Sequence, residues 1–164
     1  MSEVIQLAPP FRETPGAHVL RRDASAIRTD AVYVVFTTID ETLAAVRVAD
    51  ILGKVMTVPL TLIHFRAVPY PLSVDAPAGL SPVETDAFVG RLQAESFDVR
   101  VRVYLCRDER RAIPMAFKRH SLIVIGGQRS WWPTHSERRR RRLEAAGHFV
   151  VFVETAGHQE TTDA

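Results

Sequence analysis

The chain has 164 residues, which is enough to bury a full hydrophobic core and predicts a single domain. Hydrophobic residues make up 46% of it and charged residues 24%, an ordinary balance for a soluble globular protein. No apolar run approaches the ~20 residues that cross a bilayer, and the N-terminus lacks the basic and apolar regions of a signal peptide. The only cysteine, Cys106, excludes an intrachain disulfide, so we expect a cytoplasmic protein without a membrane span.

The two ends of the chain differ in composition from its middle. Residues 1–30 are interrupted by prolines and carry no helical or strand period, which predicts an extension that is either mobile or draped over the body. Residues 155–164 are polar and predict a frayed tail. The predicted domain therefore spans residues 31–154.

The middle of the chain alternates between two hydrophobic patterns. Short apolar, β-branched runs predict five strands, at residues 31–36, 59–65, 99–105, 122–126 and 149–153. Segments with a helical period or a capping signal predict four helices, at residues 40–55, from residue 82, at 109–119 and at 136–146. Strands that alternate with helices pair in parallel, with helices on both faces of the sheet. A ligand crevice is then expected at the carboxyl ends of the first and fourth strands, where the strand order reverses.

Two of these helices have features that fix their orientation or their start. The first has a predicted apolar face made of Ala44, Val48, Ile51, Leu52 and Val55. Its Asp50 and Lys54 are spaced to form an ion pair across one helical turn. The third has Asp108 as its predicted N-cap, and Pro114 inside it is expected to kink the helix or shift its start.

Three short segments are similar, in this order, to motifs of one known family. Residues 35–41 read Val-Phe-Thr-Thr-Ile-Asp-Glu, residues 60–65 read Leu-Thr-Leu-Ile-His-Phe, and residues 121–126 read Ser-Leu-Ile-Val-Ile-Gly. Universal stress proteins have Val-Asp-Gly-Ser, Leu-Thr-Leu-Leu-His-Val and Asp-Leu-Ile-Val-Met-Gly at the corresponding places, so residues 31–154 resemble a divergent domain of that family. The resemblance implies a single α/β domain of Rossmann-like, adenine nucleotide alpha hydrolase-like type, with a five-stranded parallel sheet in the order 3-2-1-4-5.

The chain departs from the motif by which members of this family bind ATP. Those members carry Gly-x-x-Gly, a spacer and then Gly-Ser or Gly-Thr, with an aspartate at the end of the first strand. Here Thr37 replaces the aspartate, and residues 126–129 read Gly-Gly-Gln-Arg, without the second glycine. Ser136 falls near the Gly-Ser position after a shorter loop, and Glu137 beside it would repel a phosphate. The resemblance thus implies a degenerate site from which ATP binding has been lost. The positions of that site are Thr37, Gly126, Gly127, Arg129 and Ser136.

The glycine pair and the two tryptophans that follow it each have more than one interpretation. Gly126 and Gly127 are either a remnant phosphate loop or a means of turning the chain tightly out of a central strand. Trp131 and Trp132 either contact a protein partner or fold back to fill the vestigial crevice, with stacking on a base as a third option.

Five consecutive arginines, from Arg138 to Arg142, fall in the last predicted helix. Because successive helical residues turn by about 100°, these charges encircle the helix, and those facing the sheet must pair or snorkel. We expect a solvated helix face in which Arg140 pairs with Glu144, and we do not expect nucleic acid as a partner. Binding of nucleic acid or an anionic surface is the alternative.

The sequence has no motif that predicts catalysis or a metal site. It lacks a nucleophile elbow and a Walker A sequence, and no group of His, Cys and acidic residues has metal-ligand spacing. His64 lies in a predicted strand and is expected to be a satisfied core histidine. We therefore expect no enzyme, apart from weak ATPase activity as the remaining option, and no cofactor other than ATP.

The last predicted strand, from Phe149 to Val153, is apolar throughout and is expected at a sheet edge that no lysine or proline protects. Universal stress proteins commonly dimerise through this strand, so the resemblance implies a homodimer. The function it implies is that of a non-catalytic stress-response or regulatory protein acting through protein contacts. The first alternative is a sensor of ATP or AMP with a remodelled phosphate loop, and the second is a binder of nucleic acid or an anionic surface.

Overall fold

The computed structural model describes residues 2–5, 29–70 and 82–156. The strands within these residues are β1 (Ser2–Ile5), β2 (Val32–Val35), β3 (Leu60–Ala67), β4 (Val99–Cys106), β5 (Leu122–Gly127) and β6 (Phe149–Glu154). The helices are α1 (Ile39–Met56), α2 (Pro82–Ala94), α3 (Glu109–Ala116) and α4 (His135–Ala145). Every predicted strand and helix is present, which confirms the alternation inferred from the sequence.

The strands form one sheet in the order β1-β4-β3-β2-β5-β6. Strands β2 to β6 pair in parallel, and counted from β2 their order is the predicted 3-2-1-4-5. The sequence pattern does not predict β1, which pairs antiparallel with β4 and places Ser2 opposite Tyr104 and Ile5 opposite Val101. Part of the predicted N-terminal extension is thus an edge strand, and residues 6–28 and 157–164 lie outside the described residues.

Helices cover both faces of the sheet because the central strands are apolar on both sides. All four residues of β2 are buried. Val32 and Val34 pack in one core cluster with residues of α1 and α2, whereas Tyr33 and Val35 pack in another with residues of α3 and α4. A strand with apolar residues on both faces reads as a continuous hydrophobic run, which is the pattern found in the sequence.

The predicted apolar face of α1 is right only in part. Val48 is buried and Leu52 packs against the core, but Val55 is 78% exposed and Ile51 is also exposed. The helix also buries residues outside the predicted face, namely Leu43, Val46 and Ala49. Apolar residues occur on several sides of this helix, so periodicity alone does not determine which side meets the sheet. The predicted ion pair within α1 is present, at 2.7 Å between Lys54 Nζ and Asp50 Oδ2.

Three helices begin at capping side chains next to the carboxyl edge of the sheet. Thr38, Asp108 and Thr134 each accept a hydrogen bond from a backbone N–H in the first turn of α1, α3 and α4, at 3.4, 2.9 and 3.2 Å. The predicted cap at Asp108 is confirmed. Helix α3 ends at Ala116, three residues before the predicted end, and Pro114 lies inside it without a backbone donor.

Candidate functional site

A cavity of about 410 Å³ opens beyond the carboxyl end of β2, between His64 and Phe65 of β3 and the start of α4. It lies beside the junction of β2 and β5 at which the strand order reverses, but no β5 residue lines it. Its walls combine aromatic rings, hydroxyl groups, one carboxylate and one guanidinium. The lining residues are Phe36, Thr37, Thr38, Glu41, His64, Phe65, Thr134, His135, Ser136 and Arg139. Of the five residues predicted for the degenerate ATP site, Thr37 and Ser136 line the cavity, whereas Gly126, Gly127 and Arg129 do not.

Thr37 holds the end of β2 against its neighbours. Its hydroxyl donates to the carbonyl oxygen of Gly126 at 3.3 Å, and its backbone N–H donates to the hydroxyl of Thr42 at 3.0 Å. The side chain that replaces the family's aspartate is thus engaged with the neighbouring strand β5 and has a structural function.

Gly126 and Gly127 are required by close packing within the fold. A Cβ on Gly126 would lie 1.9 Å from the backbone oxygen of Glu41, so the first turn of α1 rests directly on β5. A Cβ on Gly127 would lie 2.6 Å from Cζ of Phe152 and 2.7 Å from Cβ of Ser136. These contacts support the structural interpretation of the glycine pair, since both residues are explained without a phosphate.

Ser136 and Glu41 form a buried polar pair on the cavity wall. The Ser136 hydroxyl donates to Oε2 of Glu41 at 3.3 Å, and both side chains are more than nine-tenths buried. Ser136 is the residue predicted to fall near the family's phosphate-binding hydroxyl. Its hydroxyl is bonded here to a carboxylate, which repels anions.

Arg139 closes the other side of the cavity, and it is buried. Its Nε and Nη2 donate to the two carboxylate oxygens of Glu109 at 2.6 Å each, and its Nη1 donates to the carbonyl oxygen of Phe36 at 2.7 Å. One side chain therefore links α4 to α3 and to the end of β2. Guanidinium and carboxylate match in this bidentate arrangement, which is among the stronger hydrogen-bonded pairs in proteins.

The sequence analysis did not single out Arg139, Glu109 or Glu41 as residues of the site. The position of Arg139 along α4 could have predicted that its side chain faces the sheet. It lies three residues after Ser136 and four before the fully buried Leu143, so all three share the face of α4 that meets the sheet.

His64 lines the cavity and is only partly buried, so it is not the enclosed core histidine that was predicted. It lies near the carboxyl end of β3, where the sheet opens into the crevice. Its ring stacks against Phe36 with 4.3 Å between centroids and 33° between planes. Burial, and then the charges of Arg66 and Arg139, lower the pKa of His64 to about 4, so the ring is neutral near pH 7.

The five arginines of α4 point in different directions, as the helical turn requires. Arg140 donates to Glu137 at 2.6 Å and to Glu144 at 2.8 Å, which confirms the predicted pair with Glu144. Arg141 also donates to Glu137, at 3.2 Å. The hydrogen bond from Arg140, more than that from Arg141, lowers the pKa of Glu137. Glu137 is thus paired within its own helix, although it was predicted to oppose a phosphate.

The tryptophans do not fill the crevice. Trp131 is 94% exposed and Trp132 is 76% exposed, and neither lines the cavity. The crevice-filling alternative is therefore wrong, because the walls of the cavity come from α1, α4 and the strand ends. Arg129 also projects outward, and its Nη1 lies 3.4 Å from Oε1 of Glu154.

Within the part of the chain that the structure describes, no group of three or more His, Cys, Asp or Glu residues is placed to hold a metal ion. No helix of these residues is both long enough and apolar enough to cross a membrane.

No protein-family model matches the chain, and no curated protein matches it. Among solved structures, it is similar to a protein from the universal stress protein family from Burkholderia pseudomallei, at 17% identity over 77% of this chain and 96% of that chain, with a TM-score of 0.44. It is also similar to a universal stress protein in complex with cAMP, at 15% identity over 79% of this chain and 100% of that chain, with a TM-score of 0.47. Both come from the family that the sequence resembles, but such low identities carry no function over to this chain.

Proposed function

We propose that this chain is a non-catalytic domain of the universal stress protein type that no longer uses ATP and works as a dimeric stress-response or regulatory protein. It acts through contacts with other proteins, in the cytoplasmic location predicted from the sequence. One observation carries the proposal: both charged side chains that line the crevice already have partners within the domain. Arg139 is held by Glu109 and by the carbonyl oxygen of Phe36, and Glu41 accepts a hydrogen bond from Ser136.

The loss of ATP follows from the charges around the cavity. The guanidinium of Arg139 is already neutralised by Glu109, so it offers a phosphate little net attraction. Glu41 adds a buried carboxylate beside Ser136, where a phosphate would have to lie. A triphosphate would meet this negative charge in a partly buried site, where little solvent screens the repulsion.

Dimerisation is proposed through the outer edge of β6. The N–H groups of Phe149 and Thr155 donate inward, to Ser121 and Gly127 beside β5. Because successive residues of a strand present their backbone groups to opposite sides, the N–H groups of Val150 and Phe152 are directed to the outer edge. Such an edge is a template for pairing with a second copy.

The loop between β5 and α4 supplies the proposed contact with a further protein. Trp131 and Trp132 are among the most exposed large apolar side chains of the described residues. Tryptophan is enriched at the energetic centres of protein interfaces, because it buries a large area at a small entropic cost.

A second candidate function is a nucleotide-dependent sensor, and the open cavity of about 410 Å³ is the observation that favours it. Its volume lies within the usual range for small-molecule sites. Phe36 and His64 offer aromatic surface, and Thr37 and Thr134 offer hydroxyls. A nucleoside with few phosphates would meet less of the negative charge near Glu41 than ATP would.

Thermal unfolding in the presence of ATP, ADP, AMP and adenosine tests these candidates. A ligand at about 100 times its Kd stabilises the folded state by about 2.7 kcal/mol, so binding raises the melting temperature in a saturable way. We expect no saturable rise at millimolar concentrations of any of the four. A saturable rise with ATP would overturn the proposed loss of ATP, and one confined to AMP or adenosine would establish the second candidate instead.

A further inference from the structure

The six residues 128–133 form a loop, called here the Trp loop, that is exposed throughout and fixed at both ends. At its start, Gly127 is buried, and its carbonyl oxygen accepts a hydrogen bond from the N–H of Thr155 at 3.0 Å. At its end, Thr134 caps α4 by accepting from the N–H of Glu137 at 3.2 Å. Pro133 further restricts the backbone just before that cap. The loop therefore presents its side chains from fixed ends, which reduces the entropy lost when a partner binds.

The apolar part of the Trp loop consists of two adjacent indoles. Trp131 is 94% exposed and Trp132 is 76% exposed, so neither lies flat against its own domain. Single exposed apolar side chains are normal on protein surfaces, but two adjacent indoles on one fixed loop form a patch. Indoles of this kind serve as anchors in pockets of a partner protein.

Positive charge lies within the Trp loop and on the helix that follows it. Arg129, inside the loop, has 84% of its side chain exposed, and among the described residues its one ion pair is the 3.4 Å contact with Glu154. Arg138 lies one helical turn after the cap of α4, and Arg142 follows one turn later. Neither forms an ion pair within the described residues, and the nearby Glu137 is already bonded to arginines of its own helix.

We propose that the Trp loop binds an acidic protein segment, in which an apolar residue packs between the indoles and flanking Asp or Glu side chains pair with Arg129 and Arg138. This inference rests on the proposed function, because it names the chemistry of the partner that the loop contacts. Tryptophan and arginine together are the residue types most enriched at the energetic centres of interfaces. Exposed charges around such a centre steer the partner and set specificity.

The number of available charges favours a protein over the other anionic partners. Juxtamembrane clusters that hold anionic lipid contain about 4–8 basic residues, and typical DNA-binding proteins neutralise about 6–10 phosphates. Of the five arginines in the run from Arg138 to Arg142, three are bonded to glutamates of the same domain. Arg129, Arg138 and Arg142 remain exposed or partly exposed, and three such charges suit an acidic peptide better than a polyanion.

The experiment uses the full chain and random peptides displayed on phage, followed by synthesis of the enriched peptides. The only two tryptophans of the protein are Trp131 and Trp132, so its intrinsic fluorescence reports on the Trp loop alone. Three variants accompany the wild type: Trp131→Ala/Trp132→Ala, the charge reversal Arg129→Glu/Arg138→Glu, and Met115→Ala as the control for an exposed apolar side chain on α3. Because Trp131→Ala/Trp132→Ala has no tryptophan to report binding, its affinity is measured with fluorescently labelled peptide.

We expect enriched peptides to carry Asp or Glu next to an apolar residue and to shift the tryptophan emission to shorter wavelength. The charge reversal should weaken binding by about tenfold or more, and raising the salt should weaken it as well. Met115→Ala should leave the affinity unchanged.

Two kinds of failure are distinguishable. Two results would overturn this inference and leave the proposed function in place. In the first, the enriched peptides need the tryptophans but lack acidic residues. In the second, the peptides bind Arg129→Glu/Arg138→Glu as tightly as the wild type. Peptides that bind Trp131→Ala/Trp132→Ala as tightly as the wild type, or no enrichment over that variant, would overturn the contact at the Trp loop itself. An emission shift with phosphatidylserine vesicles or oligo-dT, and none with any peptide, would assign the loop to a membrane or to nucleic acid and overturn the inference.

Discussion

Arg139, on the wall of the crevice, and Glu109, at the start of α3, are joined by two hydrogen bonds of 2.6 Å between the guanidinium and the carboxylate. Both side chains are largely buried, and the third donor of Arg139 bonds to the end of β2. The pair therefore occupies the place where two helices and a strand end converge. The pair joins these two helices and the strand end through the guanidinium of Arg139, which in an anion-binding site would be free to bind the anion.

Breaking this pair from one side should be costly. Arg139→Met leaves the Glu109 carboxylate buried without a partner, and we expect the free energy of unfolding to fall by about 3 kcal/mol in urea denaturation. In the double variant Arg139→Met/Glu109→Gln, the free energy of unfolding should fall clearly less, because no uncompensated buried charge remains. The matched control is Arg47→Met, which removes the exposed pair with Glu95 and should cost less than about 1 kcal/mol. Equal losses at the two sites would contradict the structural importance assigned to Arg139.

Gly126 should not tolerate a side chain, because its Cβ would overlap the backbone oxygen of Glu41. We expect Gly126→Ala to destabilise the fold by roughly 3 kcal/mol, since the first turn of α1 would have to move. Gly90→Ala is the matched control, because nothing lies within 4 Å of its Cβ and it sits inside α2. It should raise stability by up to about 1 kcal/mol. A mild effect at Gly126 would mean that β5 and α1 are less tightly packed than described.

The cavity should make the protein sensitive to acid through His64. Its pKa is about 4 in the folded protein, whereas an unfolded histidine titrates near 6.5. The unfolded state therefore binds the proton first, so stability is lost as the pH falls from about 6.5 to about 4. The total loss is at most about 3 kcal/mol. His64→Gln should flatten the stability curve in this window, as measured by urea denaturation at a series of pH values. Parallel curves for His64→Gln and the wild type would contradict the assignment.

The proposed dimer should respond to loss of a single outward N–H on β6. Val150→Pro removes that donor on the side away from β5, so we expect a monomer in light scattering at tens of micromolar and a small fall in melting temperature. Val151→Pro is the matched control, because its N–H lies on the side that bonds β5 and its loss should destabilise the fold itself. A wild-type monomer under the same conditions would refute the dimer directly.

The fold could be predicted because the sequence has several long hydrophobic patterns, and the strands and helices that they predict are consistent with one architecture. The buried runs that became β2 and β5, and the helical segments between them, determine a parallel sheet whose order agrees with the family resemblance. Strand β1 has no comparable signal, since it has four residues and pairs along one side only. The buried face of α1 was predicted only in part, because apolar residues such as Val55 continue past the stripe that meets the sheet.

The candidate site was predictable only in outline. The position of the crevice follows from strand order, and Thr37 and Ser136 do line it. Its charged pairs join residues that are far apart in sequence, and Arg139 was hidden in a run of five similar residues. The outward direction of the indoles was not predictable, because no periodic pattern runs through the loop that carries them.

Strand β1 covers the outer edge of β4 and is itself the far edge of the sheet, so the sheet ends in two unlike strands. β1 has four residues and runs antiparallel to its neighbour, whereas β6 has six residues and runs parallel to its neighbour. Two copies that joined through β6 would be related by a twofold axis and would form a closed pair, whereas β1 of one copy on β6 of the next would be a head-to-tail contact, which leads to open assemblies. The shorter edge at β1 offers fewer backbone groups for pairing, so the short segment at the start of the chain favours the closed pair over a filament.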